Sequence, residues 1–145
     1  MSDVDDLLSL TVPRQVEAET AIHNGDAAPR MAMWSTKDPV TLFGAWLTSS
    51  GWDDISHTFS WLASTFSNCT SDDFEIVAAG ASGDLAYTVG YEHTTASIDG
   101  RPAQSYTLRV THVYRREDGE WKIVHRHGDR VPPDQEASAG ASTKS

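Results

Sequence analysis

The sequence predicts an α+β fold, with helices packed on an antiparallel sheet, because the hydrophobic period changes once along the chain. Before Asp73, apolar residues recur every three or four positions, which is typical of helices that bury one face. After Asp73 they alternate, which is typical of strands, and turn-forming sequences separate four such strands. Helices followed by a meander of strands indicate an α+β domain.

Two helices of unequal length are expected in the first part of the chain. Thr11 is a suitable N-cap and Pro13 fits a first turn, so the first helix is expected to begin there. It is expected to end at the turn-forming sequence His23-Asn24-Gly25-Asp26. A short second helix is expected over residues 28–33.

A strand and a third helix are expected next. Residues 38–46, DPVTLFGAW, favour a strand, with Pro39 confined to its start because proline cannot donate to a strand ladder. The helix that follows Gly51 has Asp53 and Asp54 in its first turn, where the helix dipole favours acidic side chains. Its apolar stripe, which we expect to lie on the sheet, consists of Ile55, Phe59, Leu62, Ala63 and Phe66.

Four consecutive antiparallel strands are expected over residues 74–79, 85–95, 106–115 and 120–127. Asp99-Gly100 and Asp118-Gly119 are typical of tight hairpin turns. One face of the second strand is bulky, and we expect this face to bend over the helices around a cone-shaped cavity. It consists of Leu85, Tyr87, Val89, Tyr91 and His93.

The last two strands carry the candidate site. Alternation places Leu108, Val110, His112 and Tyr114 on one face of the first of them. On the second, Trp121, Ile123, His125 and His127 share a face. Three histidines would therefore converge on one surface of the cavity. A β-bulge after Trp121 would instead turn the histidines of the second strand outward.

His112, His125 and His127 could donate a proton or orient a ligand, bind zinc, or be satisfied by neighbouring groups. No cysteine or acidic residue stands beside them at zinc-binding spacing, so neither a metal nor another cofactor is expected. Asp38, at the mouth of a predicted strand, is the candidate general base if burial raises its pKa. The alternative is a loop carboxylate that caps a turn beside Pro39.

Aromatic side chains could enclose a flat apolar ligand, although residues of this kind also form ordinary cores. The candidates for this ligand-binding role are Trp34, Trp46, Trp61, Tyr87 and Tyr91, together with Val89 and Val110.

Composition limits the partners that we expect. The net charge of -10 repels polyanions, so nucleic acid is not expected to bind. No apolar run approaches the roughly 20 residues needed to cross a bilayer, and the acidic start MSDVDD lacks the features of a signal peptide. We therefore expect a cytoplasmic protein without membrane contact. Seven of the eleven basic residues lie between Arg101 and Arg130, which indicates a solvated face, a subunit contact or an anion site.

A chain of 145 residues suits a single domain. We expect a flexible N-terminus over residues 1–10, a folded domain over residues 11–131 and a disordered tail over residues 132–145. The tail is assigned because no apolar residue larger than alanine follows Val131.

Four segments carry a resemblance to a known superfamily: HNGD, DPVTLFGAW, GWDDISHTF and AQSYTLRVTHVYRREDGEWKIVHRH. In this order the chain resembles the nuclear transport factor 2-like superfamily, which includes SnoaL-like proteins and ketosteroid isomerases. The last segment also resembles the association domain of calcium/calmodulin-dependent kinase II. The resemblance covers about residues 11–130 and implies a cystatin-like, cone-shaped α+β barrel that forms a homodimer.

The resemblance to the isomerases implies a base near Asp38, but the chain departs from their pattern elsewhere. Ala18 stands near the position of their tyrosine, and Thr111 or His112 near that of their second acid. The arginines that line the cavity of the kinase association domain correspond to Val89, His112 and Gly128.

Two functions are expected from these patterns. The first is a SnoaL-like pocket protein that binds a small, largely apolar molecule, with cofactor-independent acid/base chemistry of the isomerase, cyclase or hydrolase type. The second is a non-catalytic ligand-binding or homo-oligomerising association module. The fold alone does not decide whether the chain is an enzyme.

Overall fold

Three helices pack on a curved, unclosed sheet of six strands in the computed structural model, which describes residues 2–132. The helices are α1 (Asp3–Ile22), α2 (Ala28–Met33) and α3 (Trp52–Thr65). The strands are β1 (Thr41–Phe43), β2 (Thr48–Ser50), β3 (Phe66–Ser82), β4 (Leu85–Ile98), β5 (Gln104–Glu117) and β6 (Glu120–Arg130). The predicted α+β class is confirmed, and α2 has the predicted bounds.

The strands are ordered β2-β1-β6-β5-β4-β3 across the sheet. Neighbouring strands from β3 to β6 pair antiparallel, as expected for a meander. However, β1 runs parallel to β6, so the sheet is mixed rather than wholly antiparallel. No helix of the described residues is long and apolar enough to span a bilayer.

Helix α1 begins eight residues before the predicted cap at Thr11. The Ser2 hydroxyl accepts a hydrogen bond from the Asp5 N–H at 3.2 Å, and the Asp5 carboxylate accepts one from the Ser2 N–H at 3.4 Å. This reciprocal capping box satisfies two amides of the first turn, and Leu7 is fully buried. Residues 3–10, expected to be flexible, are therefore helical, whereas nearly all of the expected tail lies outside the described residues.

The strand predicted over residues 38–46 is interrupted by a turn. The Gly44 N–H donates to the Leu47 carbonyl at 2.9 Å, and this turn folds β2 back onto β1. Only residues 41–43 of the predicted segment are strand, because the chain reverses at Gly44. As a result, Trp46 lies in the turn.

The inward face of β4 is the opposite of the predicted one. Ala86, Thr88, Gly90 and Glu92 are buried against the interior, whereas Leu85 and Tyr87 are 57% and 45% exposed. No side chain fits at Gly90 on the inner face. A Cβ there would lie 2.1 Å from the carbonyl oxygen of Glu75 on the paired strand β3 and 2.9 Å from a ring carbon of Phe74. The predicted bulky face is therefore the outer face of the sheet.

A β-bulge reverses the alternation within β6. Tyr114 pairs with Ile123 and Val113 pairs with His125, which leaves Val124 as the extra residue. Before the bulge, Trp121 and Ile123 face the helices, as predicted. Beyond it, the predicted face points outward, and the inner face carries Arg126 and Gly128 instead. The bulged alternative is the arrangement observed.

The main core lies between the helices and the inner sheet face. Its larger members are Leu7, Ile22, Trp34, Leu42, Ile55, Phe59, Tyr114, Trp121 and Ile123. A second, smaller cluster forms around Phe74, Leu108 and Val110. Between the two clusters the interior is polar.

Candidate functional site

A cavity opens between the helices and the inner face of the sheet. The cavity and its mouth together contain about 530 Å³ of empty space, which includes open solvent at the mouth. The partly exposed side chains of Trp46, Leu47 and Trp61 surround its opening. Its remaining apolar wall includes Ile22, Leu42, Leu62, Phe66 and Leu108.

Two buried ion pairs form the polar wall of the cavity. The Arg30 Nε donates to the Glu19 Oε2 at 2.8 Å, and its Nη2 donates to the other carboxylate oxygen. The Arg126 Nη1 and Nη2 donate to the two oxygens of Glu92 at 2.9 and 2.7 Å. All four side chains line the cavity and are almost completely buried. Each charge is neutralised by a bidentate partner, as burial requires.

Further polar groups hold the Glu92–Arg126 pair. The Gln15 Nε2 donates to the Glu92 Oε2 at 2.9 Å. Burial alone would raise the pKa of Glu92, but the Arg126 guanidinium holds it well below its usual range. The Arg126 Nη1 lies 3.1 Å from the His112 Nε2, and burial together with Arg126 lowers the pKa of His112 far below its usual value. His112 is therefore a neutral imidazole that accepts from Arg126 through Nε2.

A histidine and a tyrosine face the cavity beside these pairs. The Nδ1 of His23 lies 2.6 Å from the carbonyl oxygen of Glu19, so Nδ1 carries the proton and donates it. The other ring nitrogen, Nε2, accepts from the Tyr106 hydroxyl. Burial lowers the pKa of His23 and raises that of Tyr106, so both groups are neutral near pH 7. The two side chains form a hydrogen-bonded pair at the wall of the cavity.

Asp72 lies behind His23 on the inner face of β3. Its Oδ2 is 3.9 Å from the His23 Nδ1 and accepts from the Thr94 hydroxyl at 3.4 Å. Its Oδ1 is buried and has no hydrogen-bond partner among residues 2–132. Burial, reinforced by Glu19 and Glu92, raises the pKa of Asp72 to about 8. Asp72 is therefore protonated at neutral pH.

A comparison with models of protein families identifies the family to which this chain belongs. A model described as a SnoaL-like domain matches residues 16–132, which include α2, α3 and all six strands. The chain belongs to the SnoaL-like family. A search of curated proteins found no match to this SnoaL-like chain.

Solved structures agree with the assignment at the level of the fold. A nuclear transport factor 2-like protein from Cytophaga hutchinsonii is 14% identical with a TM-score of 0.67, and the match covers 90% of this chain and 100% of that one. A cystatin-like protein of unknown function from Nostoc punctiforme is 17% identical, with a TM-score of 0.61 and coverages of 92% and 96%.

A calcium/calmodulin-dependent protein kinase II association-domain-like protein from Xanthomonas campestris is 15% identical, with a TM-score of 0.63 and coverages of 89% and 87%. These likenesses confirm the cystatin-like fold that the resemblance implied.

Asp38 does not reach the cavity of the SnoaL-like domain. Its side chain is exposed at the surface, and its Oδ1 accepts a hydrogen bond from the Trp52 N–H at 2.9 Å. Trp52 is the first residue of α3, so Asp38 satisfies one of the free amides at the start of that helix. This is a capping role of the kind that the alternative interpretation described.

The three predicted histidines do not converge. His112 faces the interior, whereas the bulge places His125 and His127 on the outer face beside β1. There the His125 Nδ1 lies 2.7 Å from the Thr41 hydroxyl, and the Phe43 ring packs edge-on against both outer imidazoles. Within residues 2–132 no group of three His, Cys, Asp or Glu residues is arranged to hold a metal ion.

The predicted aromatic enclosure is assembled only in part. Trp46 and Trp61 line the cavity, as the ligand-binding prediction required. Trp34 and Val110 are buried in the two core clusters instead. The remaining three predicted residues, Tyr87, Val89 and Tyr91, lie on the outer face of β4.

Several residues of the site were missed by the sequence analysis although α1 carries a signal for them. Thr11, Gln15, Glu19 and His23 recur every four residues, share one face of the helix and are all buried despite being polar. A polar stripe with helical spacing therefore marks the cavity side of α1. Tyr106 has the same strand parity as Leu108, so alternation alone would have placed it inward.

We predict that Asp72 makes the domain less stable as pH rises. From about pH 4 to pH 8 the folded protein holds a proton on Asp72 that the unfolded chain has lost, so this group lowers the free energy of unfolding by up to about 1.4 kcal/mol per pH unit. Asp72→Asn removes this titrating group. The free energy of unfolding of Asp72→Asn, measured with urea and taken relative to the wild type, is therefore expected to increase between pH 5 and pH 8.

The neighbouring exposed residue Asp73 provides the control. Asp73→Asn removes one carboxyl group at the surface and is the reference against which the stability change of Asp72→Asn is compared. If the difference in the free energy of unfolding between the wild type and Asp72→Asn stayed constant across this pH range, it would contradict a buried, protonated Asp72.

Proposed function

We propose that the cavity binds a small, flat and largely apolar molecule, and that the protein performs cofactor-independent acid/base chemistry on it. The observation that carries this proposal is the Tyr106 hydroxyl, which lines an aromatic cavity and donates a hydrogen bond to neutral His23. Membership of the SnoaL-like family supports a small-molecule-binding or isomerase-type role.

The mouth of the cavity favours a flat ligand. The Trp46 ring packs edge-on against Phe66 and Tyr106, with centroid distances of 5.7 and 5.8 Å. The Arg130 guanidinium lies 5.6 Å from the centroid of Trp46 on the same surface. Aromatic rings held in this way have two torsions each, so they provide apolar contact area at a small entropic cost.

The proposed proton-transfer groups differ from those that the sequence indicated. Asp38, His125 and His127 lie outside the cavity, and His112 is separated from it by Arg126. His23 and Tyr106 both line the cavity, and they are already joined by a hydrogen bond. A general acid or base must be within hydrogen-bonding reach of the ligand or be linked to it through such a group; Tyr106 is proposed for the direct contact, and His23 acts through Tyr106.

We predict that Trp46→Ala weakens the binding of 2-methylnaphthalene by about tenfold, because it removes one aromatic wall of the cavity. Binding is measured by NMR titration of the 15N-labelled protein, followed at the indole N–H signal of Trp61. Tyr87→Ala removes an aromatic ring from the outer face and is expected to leave the affinity unchanged. Equal affinity in the wild type and Trp46→Ala would rule out this cavity as the binding site.

A second candidate function, homo-association, is favoured by the outer face of the sheet. Leu85, Tyr87 and Val77 are 57%, 45% and 60% exposed, and Val113 lines an apolar groove with the first two. Exposed apolar patches of this kind mark protein interfaces. We propose a homodimer that pairs these faces; such a dimer is compatible with ligand binding because the cavity opens elsewhere.

Leu85→Asp is expected to convert the dimer to a monomer in sedimentation-velocity experiments at micromolar concentration, because it buries a charge in the proposed interface. Leu10→Asp is the matched control, since Leu10 is 62% exposed on α1, away from the patch. A wild-type protein that sediments as a monomer would contradict the association proposal.

A further inference from the structure

We infer that Tyr106 and His23 form a proton relay that selects ligands with a hydroxyl group and removes the proton of that group. The ligand class is a flat aromatic or conjugated molecule with a phenolic, enolic or alcoholic O–H at the buried end. This inference rests on the proposed binding function, and it adds the polar group that the ligand must carry.

The backbone of α1 fixes the direction of the relay. Because the His23 Nδ1 donates its proton to the Glu19 carbonyl at 2.6 Å, the Nε2 of the neutral ring has only a lone pair. The Tyr106 hydroxyl therefore donates its single proton to Nε2. What remains on the Tyr106 oxygen is acceptor capacity, so Tyr106 is ready to accept a hydrogen bond from the ligand rather than to donate one.

The two buried carboxylates are further acceptors that line the cavity. The carboxylates of Glu19 and Glu92 are each held by a bidentate guanidinium, from Arg30 and Arg126 respectively. The remaining lone pairs of these oxygens are alternative acceptors for a ligand hydroxyl. The variant Tyr106→Phe distinguishes them from Tyr106, because it leaves both carboxylates in place.

The chemical step balances without a co-reactant. The ligand O–H bond breaks and its proton goes to the Tyr106 oxygen, while the Tyr106 proton moves to the His23 Nε2. Tyr106 ends as it began, the ligand becomes an oxyanion, and His23 becomes an imidazolium. No electron is transferred.

The surroundings of His23 determine how readily it takes the proton. Burial is the largest effect and opposes the imidazolium, so it lowers the pKa of His23. Glu19 on α1 and Glu92 on β4 favour the imidazolium, whereas Arg30 on α2 opposes it. Asp72 on β3 lies 3.9 Å from Nδ1, and Tyr106 on β5 supplies the transferred proton. Both N–H groups of the imidazolium would keep partners, the Glu19 carbonyl at Nδ1 and the Tyr106 oxygen at Nε2.

Three naphthalenes of similar shape test the relay in the full-length protein at pH 7. 2-Naphthol offers an O–H donor, 2-methoxynaphthalene only an acceptor, and 2-methylnaphthalene neither. The wild type is expected to bind 2-naphthol roughly three- to tenfold more tightly than 2-methoxynaphthalene, which corresponds to one neutral hydrogen bond. Affinities are measured by NMR titration at the indole signals of Trp46 and Trp61.

Two variants assign the preference to the relay. Tyr106→Phe is expected to bind the naphthol and the methoxy compound with equal affinity, so the preference for 2-naphthol is lost. In His23→Phe the freed Tyr106 hydroxyl can donate into the cavity, so the preference is expected to shift toward 2-methoxynaphthalene. A merely structural role of His23 would weaken all three ligands alike.

The wild type alone also provides a decisive measurement. The 15N chemical shifts of the His23 ring are expected to show the neutral Nδ1–H tautomer, and the Nε2–H tautomer would overturn the relay. A wild type without a preference for 2-naphthol, or a preference that persists in Tyr106→Phe, would also overturn it. Failure of 2-methylnaphthalene to bind would instead reject the proposed apolar site itself.

Discussion

The ion pair between Glu92 and Arg126 is the interaction on which the interior of this domain depends. Two opposite charges are placed in a nearly water-free interior, where each would be strongly unfavourable without the other. The pair joins β4 to β6, and Gln15 connects it to α1. Both side chains line the cavity, so the pair forms part of its polar wall. A second pair, Arg30 with Glu19, does the same between α2 and α1.

Much of the fold was predictable because its signals are local. Turn sequences such as Asp118-Gly119 set the hairpins, and the bounds of α2 follow from the sequence around it. The inward face of β4 was not predictable from hydrophobicity. Gly90, on the inner face, has no room for a side chain because the neighbouring strand β3 lies against it, whereas Leu85 is apolar on the outside. Alternation identifies two faces, but it assigns the wrong one to the interior when the outer face is the more apolar.

The site was predictable only up to the bulge at Val124. Alternation correctly placed His112 on the inner face. After the extra residue in β6, however, Arg126 rather than His125 points inward. The inward Arg126 pairs with Glu92, more than thirty residues earlier, and such long-range pairing leaves no local sequence pattern. His23 lies at the end of a helix, where its sequence context indicated only a turn. Recognising its role requires the position of Tyr106 across the cavity.

The state of Glu92 tests this account most directly. A carboxyl group buried at this position without a partner would have a pKa above its usual value, whereas an inward Arg126 lowers that pKa well below the usual value. The side-chain carboxyl 13C shift of Glu92 can be followed by NMR from pH 7 down to pH 3. The account predicts that the shift does not change with pH, because Glu92 stays ionised. A titration midpoint at or above about pH 4.5 would show that Arg126 is not paired with it and would contradict the account.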